Sequence, residues 1–355
     1  MVAVEPIPEI QYTRSGDYYL AYQVFGDGPK TLLFASGFLS HLELMWEEPG
    51  LAQYFRRLSQ SARVILFDKR GVGLSDRVGV PPTAEETVED IVVILDAVGC
   101  EKATLMSVSE GGPIVIMFAA TYPGRTAQLI LYGTMPKWIR SYDYPWALSR
   151  SQYDSWLAHL IDNWGSAVSL QHFAPSRAEE AAFQSWWAKM LRHSATPGSV
   201  KGVLEALREI DVRPVLPHVH VPTLVLHRTG DKAVPVAGGR FLAQNLPNSR
   251  FIELSGQDHW WWVGDCEAIL DEVNNFMSES STTSTSLPPI IESLTEREMD
   301  VLRLIAAGYT NQQIADELIL TLGTVKTYSS HIYGKLNVEN HTQAIAAARK
   351  QGLIR

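Results

Sequence analysis

The sequence predicts an α/β domain built on a parallel sheet, followed by a small all-α domain. Three observations point to this division. Short runs dominated by apolar residues recur between positions 31 and 255, separated by stretches of helical periodicity. A Ser/Thr-rich stretch without apolar periodicity follows, from Ser278 to Pro289. Beyond it, closely spaced Thr-x-x-Glu and Thr-x-x-Gln patterns mark one helix start after another.

The apolar runs are TLLFAS (Thr31 to Ser36), RVILFD (Arg63 to Asp68), ATLMSV (Ala103 to Val108), AQLILYG (Ala127 to Gly133), PTLVLH (Pro222 to His227) and RFIELS (Arg250 to Ser255). Continuous runs suit strands covered by helices on both faces, and the helical stretches between them supply the crossovers of a parallel sheet. Residues from about 135 to about 215 break the alternation. They hold no convincing strand but carry Trp138, Trp146, Trp156, Trp164, Trp186 and Trp187, which reads as a helical insertion over the sheet. The stretch SESSTTSTSLPP ends in two prolines and has too little apolar surface to fold, so a flexible linker is expected there. The expected domains are residues 1–277, the linker 278–289, and residues 290–355.

Composition narrows the function classes. At 46% hydrophobic and 19% charged, the 355-residue chain is ordinary for a globular protein. No apolar run reaches membrane-spanning length, and the first twenty residues lack the basic and apolar regions of a secretory signal. Cys100 and Cys266 lie far apart without metal-type spacing, so two reduced thiols in a cytoplasmic protein are expected, with no metal or cofactor. From Pro288 onward there are seven Lys/Arg and seven Asp/Glu, so the net charge of −9 lies wholly in the larger part. An acidic body repels DNA, and the neutral small domain is the part able to approach it, with weak, salt-dependent nonspecific affinity.

The larger part carries a candidate nucleophile. Run ATLMSV leads directly into Ser109-Glu110-Gly111-Gly112 and then an apolar helix. A serine on a sharp strand-to-helix turn is exposed at the carboxyl edge of the sheet, and small residues two before and two after it, here Ser107 and Gly111, let the turn close. A serine needs a base and an orienting acid. Asp231 follows run PTLVLH and His259 follows run RFIELS, each on a loop after a strand and in Ser, Asp, His order. The backbone N–H groups of Phe38, after the first run, and Glu110 are the candidate oxyanion donors.

These motifs, with SHLELMWEEP, FDKRGVGLSDR, FAATYPGR, LVLHRTGDKAVPV and GQDHWWWVGD, resemble the α/β-hydrolase fold over residues from about 10 to 277. They resemble in particular hydrolase-like domains fused to regulatory outputs. Family members often have His-Gly where this chain has Ser36-Gly37. The resemblance implies that the insertion is a helical lid, with a pocket beneath it. Phe38, His41, Trp46, Trp138, Trp186 and Trp260 are the candidate ligand contacts, Trp261 and Trp262 continue the aromatic run, and Glu43 and Glu110 are further polar candidates at the mouth. Such a lining suits an apolar or aromatic small molecule. Asp68 and Arg70 are expected to brace loops.

In the smaller part, Thr295 to Glu298 and Thr310 to Gln313 are capping boxes, Thr321 can cap a third helix, and a fourth runs from about Thr342 through Ala348. A short helix, a tight connection and a further helix make a helix-turn-helix, whose second helix enters the major groove. The ordered strings LTERE, AAGYTNQQIA, GTVKTYSSHIYGKL and NVENHTQA resemble the LuxR-type DNA-binding domain along its whole length, with Tyr328 where the family commonly has His. The resemblance implies phosphate contacts by Thr324, Lys326 and Lys335, positioning by Asn311, and base-edge contacts by Thr327 and Ser330. It also implies a homodimer on a double-stranded DNA operator.

The sequence therefore points first to a transcription regulator that senses a small molecule in a hydrolase-like pocket. An active serine hydrolase that processes its own signal, and a dimerisation body with an inert pocket, stand as alternatives.

Overall fold

The computed structural model describes residues 7–279, 294, 296–307, 309–318, 320, 325, 328–329, 332–333, 335–336, 338, 341–350 and 353–354. The chain divides into two compact units, Met1–Glu279 and Ser280–Arg355.

In the first unit an eight-stranded sheet has the order β1-β2-β4-β3-β5-β6-β7-β8. The strands are β1 (Gln11–Ser15), β2 (Tyr18–Phe25), β3 (Lys30–Ala35), β4 (Ala62–Phe67), β5 (Ala103–Val108), β6 (Thr126–Tyr132), β7 (Thr223–Arg228) and β8 (Ser249–Leu254). The strands from β3 to β8 are parallel and coincide with the apolar runs, whereas β1 and β2 add an antiparallel hairpin at one edge. Side chains alternate across the sheet, so neighbours in one run serve opposite cores. Leu32, Phe34, Val64, Leu66, Met106 and Ile130 face one cluster, and Leu33, Ile65, Leu105, Leu129 and Leu131 face the other. Helices α1 (Pro49–Leu58) and α9 (Glu267–Ser278) cover the first face; α2 (Ala84–Ala97), α3 (Gly112–Thr121) and α8 (Val236–Asn245) cover the second.

The expected insertion lies between β6 and β7 and is helical: α4 (Arg150–Asp162), the single turn α5 (Leu170–Phe173), α6 (Ala181–Ser194) and α7 (Pro197–Arg208). Capping chemistry starts α4, where Ser149 and Gln152 satisfy each other's backbone N–H, and Thr196 with Pro197 starts α7. Leu157, Leu160, Phe183 and Trp187 carry the insertion's apolar side into the first core.

Two buried carboxylates tie loops to the sheet. Asp68, at the end of β4, accepts from Ser40 Oγ (2.6 Å), Leu42 N (3.2 Å) and Leu74 N (2.8 Å). Asp90 on α2 accepts from Ser15 Oγ and Arg70 Nη2, both at 2.6 Å, and so joins the edge hairpin to the helix layer.

In the second unit α10 (Glu296–Ala306), α11 (Asn311–Leu318) and a closing helix His341–Lys350 surround Val301, Leu302, Ile305, Ile314, Ala344 and Ala348. Val325, Ile332 and Leu336 belong to the same core. The Thr310 capping box is formed: Thr310 N donates to Gln313 Oε1 (2.9 Å), and Gln313 N donates to Thr310 Oγ1 (3.3 Å). Thr295, Thr321 and the expected linker from Ser280 onward lie outside the described residues.

Asp90 gives a test of the edge attachment. Burial drives its carboxyl above the ordinary range despite the hydrogen bonds from Arg70 and Ser15, and removing it leaves the largely buried Arg70 guanidinium only Ser15 Oγ and the more distant, half-exposed Glu86 carboxylate (3.8 Å). All ten tryptophans precede residue 263, so their fluorescence follows this unit alone. In urea titrations read that way, Asp90→Ala should lose about 3 kcal/mol of stability. Asp17→Ala, which breaks the exposed Arg14–Asp17 pair, should stay within about 0.5 kcal/mol of the parent.

Candidate active site

Ser109 occupies the sharp turn between β5 and α3 with φ of 52°, a left-handed backbone that a side chain other than glycine's rarely adopts. Close packing holds it there. A Cβ added at Gly111 would stand 2.4 Å from Ser107 Oγ and 2.6 Å from the Ser36 carbonyl, and one at Gly112 would stand 2.2 Å from Thr134 Oγ1. Thr134 Oγ1 donates to the Ser109 carbonyl (2.6 Å), and Ser107 Oγ donates to the Ala35 carbonyl (2.9 Å). The serine two before the nucleophile position is thus accommodated by a hydrogen bond to the neighbouring strand.

The loops after β7 and β8 bring the other two residues to it. His259 Nδ1 lies 2.7 Å from Asp231 Oδ2, and His259 Nε2 lies 2.9 Å from Ser109 Oγ. Asp231 Oδ1 accepts from the backbone N–H groups of Ala233 and Val234, both at 2.9 Å. With Asp231 as acceptor, the imidazole carries its proton on Nδ1 and turns the Nε2 lone pair toward the serine.

The His259 loop is fixed from two sides. The Phe173 carbonyl of the lid accepts from His259 N (2.8 Å) and Trp260 N (3.0 Å). Arg228, fully buried at the end of β7, donates Nη1 to the carbonyls of Asp258 (2.9 Å) and Trp260 (3.1 Å), and Nη2 to that of Asp265 (3.1 Å). Gly133, with φ of 54°, leaves room behind the imidazole, for a Cβ there would be 3.2 Å from His259 Cε1.

Burial alone would push His259 down, but the charge and hydrogen bond of Asp231, with the charge of Glu110, outweigh it and raise its pKa. Burial would likewise push Asp231 up, yet His259, His227 and the Val234 N–H together hold it below the ordinary carboxyl range.

Two lobes meet at Ser109. The first, about 80 Å³, is lined by Phe38, Met45, Trp186, Trp187 and the Trp260 to Trp262 run, along with His259. The second, about 320 Å³, is lined by Met135, Trp138, Tyr153, Trp156, His172 and Lys232. Ser109, Glu110 and Phe173 border both. Trp260 stacks on both Trp262 (centroids 5.4 Å apart) and Phe173 (5.8 Å), so the rings of this wall pack as one aromatic cluster.

Of the expected ligand contacts, Phe38, Trp186 and Trp260 line the first lobe and Trp138 lines the second. Trp46 packs on Phe25 (5.2 Å) and donates Nε1 to Gln23 Oε1 (3.0 Å), and His41 is buried 6.4 Å from the ring of His193. Neither lines the two lobes. Arg228, Phe173, Thr134 and the Lys232 rim were not anticipated. Phe173 had a signal in the aromatic content of the insertion, but Arg228 looks like any strand-end charge until the carbonyls around it are seen.

In the second unit, Asn311 opens α11, and Lys335 Nζ donates to Glu298 Oε2 (2.8 Å). Thr324, Lys326, Thr327 and Ser330 lie outside the described residues. No helix among the described residues is long and apolar enough to cross a membrane, and none of their His, Cys, Asp and Glu residues group as a metal site.

Residues 30–261 match the family model described as alpha/beta hydrolase fold, and residues 292–348 match that of bacterial regulatory proteins, luxR family. The first unit is similar to the 3-oxoadipate enol-lactonase 2 of Acinetobacter baylyi, 27% identical over 241 residues that span 66% of this chain and 84% of the relative. A solved enol-lactonase from Burkholderia xenovorans superposes with a TM-score of 0.62 at 25% identity, covering 76% of this chain and all (100%) of that one. The second unit is similar to the response regulator protein VraR of Staphylococcus aureus, 51% identical over 65 residues, which are 18% of this chain and 31% of that protein.

The raised His259 gives a signed pH dependence. Only the neutral imidazole can take the serine proton, so the rate at which a fluorophosphonate labels Ser109 should fall as pH drops through a midpoint above the ordinary 6.5. Asp231→Asn removes the charge that raises it. That variant should move the midpoint to lower pH and slow labelling by roughly 10⁴-fold at neutral pH. A midpoint at or below 6.5 in the parent would contradict the coupling.

Proposed function

Because the chain belongs to the α/β-hydrolase fold family and carries a luxR-family module behind that domain, we propose that it is a serine hydrolase fused to a DNA-binding unit. The observation that carries this reading is the continuous relay from Ser109 through His259 to Asp231, with the serine on its strained turn. Ser109 attacks the carbonyl carbon of an ester or lactone while His259 takes its proton. The N–H groups of Phe38 and Glu110 receive the developing oxyanion, and His259 returns the proton to the leaving oxygen. Water then releases the acyl group from Ser109. The similarity to an enol-lactonase supports an oxygen ester, open or cyclic, and the aromatic lobes support an apolar or aromatic acyl portion.

The luxR-family module supports a regulatory use of this chemistry. On that reading the protein is a cytoplasmic homodimer that binds a double-stranded operator through its second unit. Asn311, Thr324 and Lys326 hold the backbone and Thr327 and Ser330 meet base edges, whereas Lys335, expected at a phosphate, is held by the buried Glu298. The small molecule taken into the lobes is then both substrate and signal. A pure sensor without turnover is the second reading, favoured by the depth of aromatic lining around the serine.

Purified protein should hydrolyse p-nitrophenyl esters, and Ser109→Ala should reduce kcat by at least about 10⁴-fold while the tryptophan emission stays native. An inert parent across acetyl, butyryl and benzoyl esters, combined with tight binding of an aromatic ligand, would favour the sensor instead. For the second unit, Lys326→Ala should weaken binding to all duplexes alike and reduce the log–log salt slope by about one. An unchanged slope would remove Lys326 from the phosphate contacts.

A further inference from the structure

Lys69 is a buried lysine one residue beyond Asp68 at the end of β4. Burying an ammonium group is costly, and a neutral side chain would fill the space more cheaply. Its hydrogen bonds run to the Gly37 carbonyl and, at 3.4 Å, to the Ser36 carbonyl. Asp68 is occupied by Ser40, Leu42 and Leu74, and acts on Lys69 through its charge, as does Glu110. The Glu110 carboxylate lies against Gly37, where an added Cβ would be 3.1 Å from Oε2.

The Gly37 carbonyl and the Phe38 N–H belong to one peptide unit, and that unit is trans. In a trans peptide the C=O and N–H point in opposite directions. A cation gripping the carbonyl from behind therefore fixes the plane and aims the N–H away from itself. It also draws electron density toward the carbonyl oxygen and makes the N–H a stronger donor. Phe38 borders the first lobe together with Ser109.

We propose that Lys69 is a positioning residue that orients and polarises the Gly37–Phe38 peptide, so that the Phe38 N–H meets the oxyanion formed at Ser109. This rests on the hydrolase reading above. Glu110 has two parts in it: its N–H is the second donor, and its carboxylate balances the Lys69 charge inside the fold. The device acts on the charge that appears in the transition state, so its loss should lower kcat and leave KM nearly unchanged.

The groups facing Lys69 also make the contact titratable. Burial pushes the ammonium down to about 8 against the opposing charges of Glu110 on the elbow and Asp68 on the strand end, while Arg77 faces Asp68 from the next loop. Above that pH the amine can still donate to the Gly37 carbonyl, but it loses the charge that polarises the peptide. Arginine at the same position keeps its charge.

The test compares the full-length parent, Lys69→Met and Lys69→Arg on p-nitrophenyl butyrate between pH 6 and 10, with fluorophosphonate labelling and tryptophan emission as controls. Loss of a whole oxyanion donor costs about 10²- to 10³-fold in kcat, so a misaimed one should cost about 10- to 100-fold in Lys69→Met. KM should stay within about threefold of the parent. The parent should lose kcat above about pH 8, and Lys69→Arg should keep its activity to the end of that range. Parent-like kcat in a folded Lys69→Met, or the same alkaline loss in Lys69→Arg, would overturn the proposal. If Lys69→Met does not fold, the Lys69→Arg profile decides alone. A parent that neither hydrolyses esters nor takes the label overturns the hydrolase reading itself, and the role of Lys69 with it.

Discussion

The left-handed backbone at Ser109 is the constraint on which the rest of the first unit depends. Holding a serine at φ of 52° costs on the order of 1–2 kcal/mol, and it persists only because its surroundings leave no alternative. Gly111 and Gly112 permit approaches that no side chain could survive, and Thr134 captures the Ser109 carbonyl from the next strand end. The turn also explains the value of the strand order. With β5 flanked by β3 and β6, and β7 and β8 beyond, adjacent strand ends deliver Phe38, Ser109, Gly133, Asp231 and His259 to one edge of the sheet.

A second principle is that charge is placed where the sheet would otherwise exclude it. Arg228 is buried because three carbonyls of the His259 loop need a donor, and one guanidinium serves them all. Asp68 does the converse, collecting a hydroxyl and an N–H from the loop after β3, which borders the first lobe, and a second N–H from the loop after β4. Asp231 combines both tasks, taking two backbone N–H groups on one oxygen and the imidazole on the other. Each of these groups is far from its preferred medium, so each holds its loop in one arrangement.

The sequence was most legible where patterning is strongest. The strands from β3 to β8 followed from continuous apolar runs, because both faces of a covered parallel sheet need apolar residues. The Ser, Asp and His positions followed from the same runs, each lying just past a strand end. The hairpin of β1 and β2 was not legible: β1 is a largely exposed edge strand, and its sequence QYTRS carries no apolar alternation. Aromatic residues were harder still. Trp186 and Trp46 read alike in the sequence, but one N–H finds the Leu44 carbonyl beside the pocket and the other finds Gln23 in the core. Long-range partners decide which wall a ring builds, and no local pattern records them. The role of Arg228 is invisible in the sequence for the same reason, since the carbonyls it serves lie 30 or more residues further along the chain.

The first unit joins Ser109, His259 and Asp231 in one relay, and the second resembles luxR-family regulators over residues 292–348. The central claim concerns the first: that Ser109 forms a covalent acyl bond. The most direct measurement is intact-protein mass spectrometry after mixing with a slowly deacylating aromatic ester and quenching in acid within milliseconds. One acyl group per chain is expected, mapped to the peptide bearing Ser109 and lost as the substrate is consumed. Substrate consumed with no acyl adduct, or an adduct on any other residue, would contradict it.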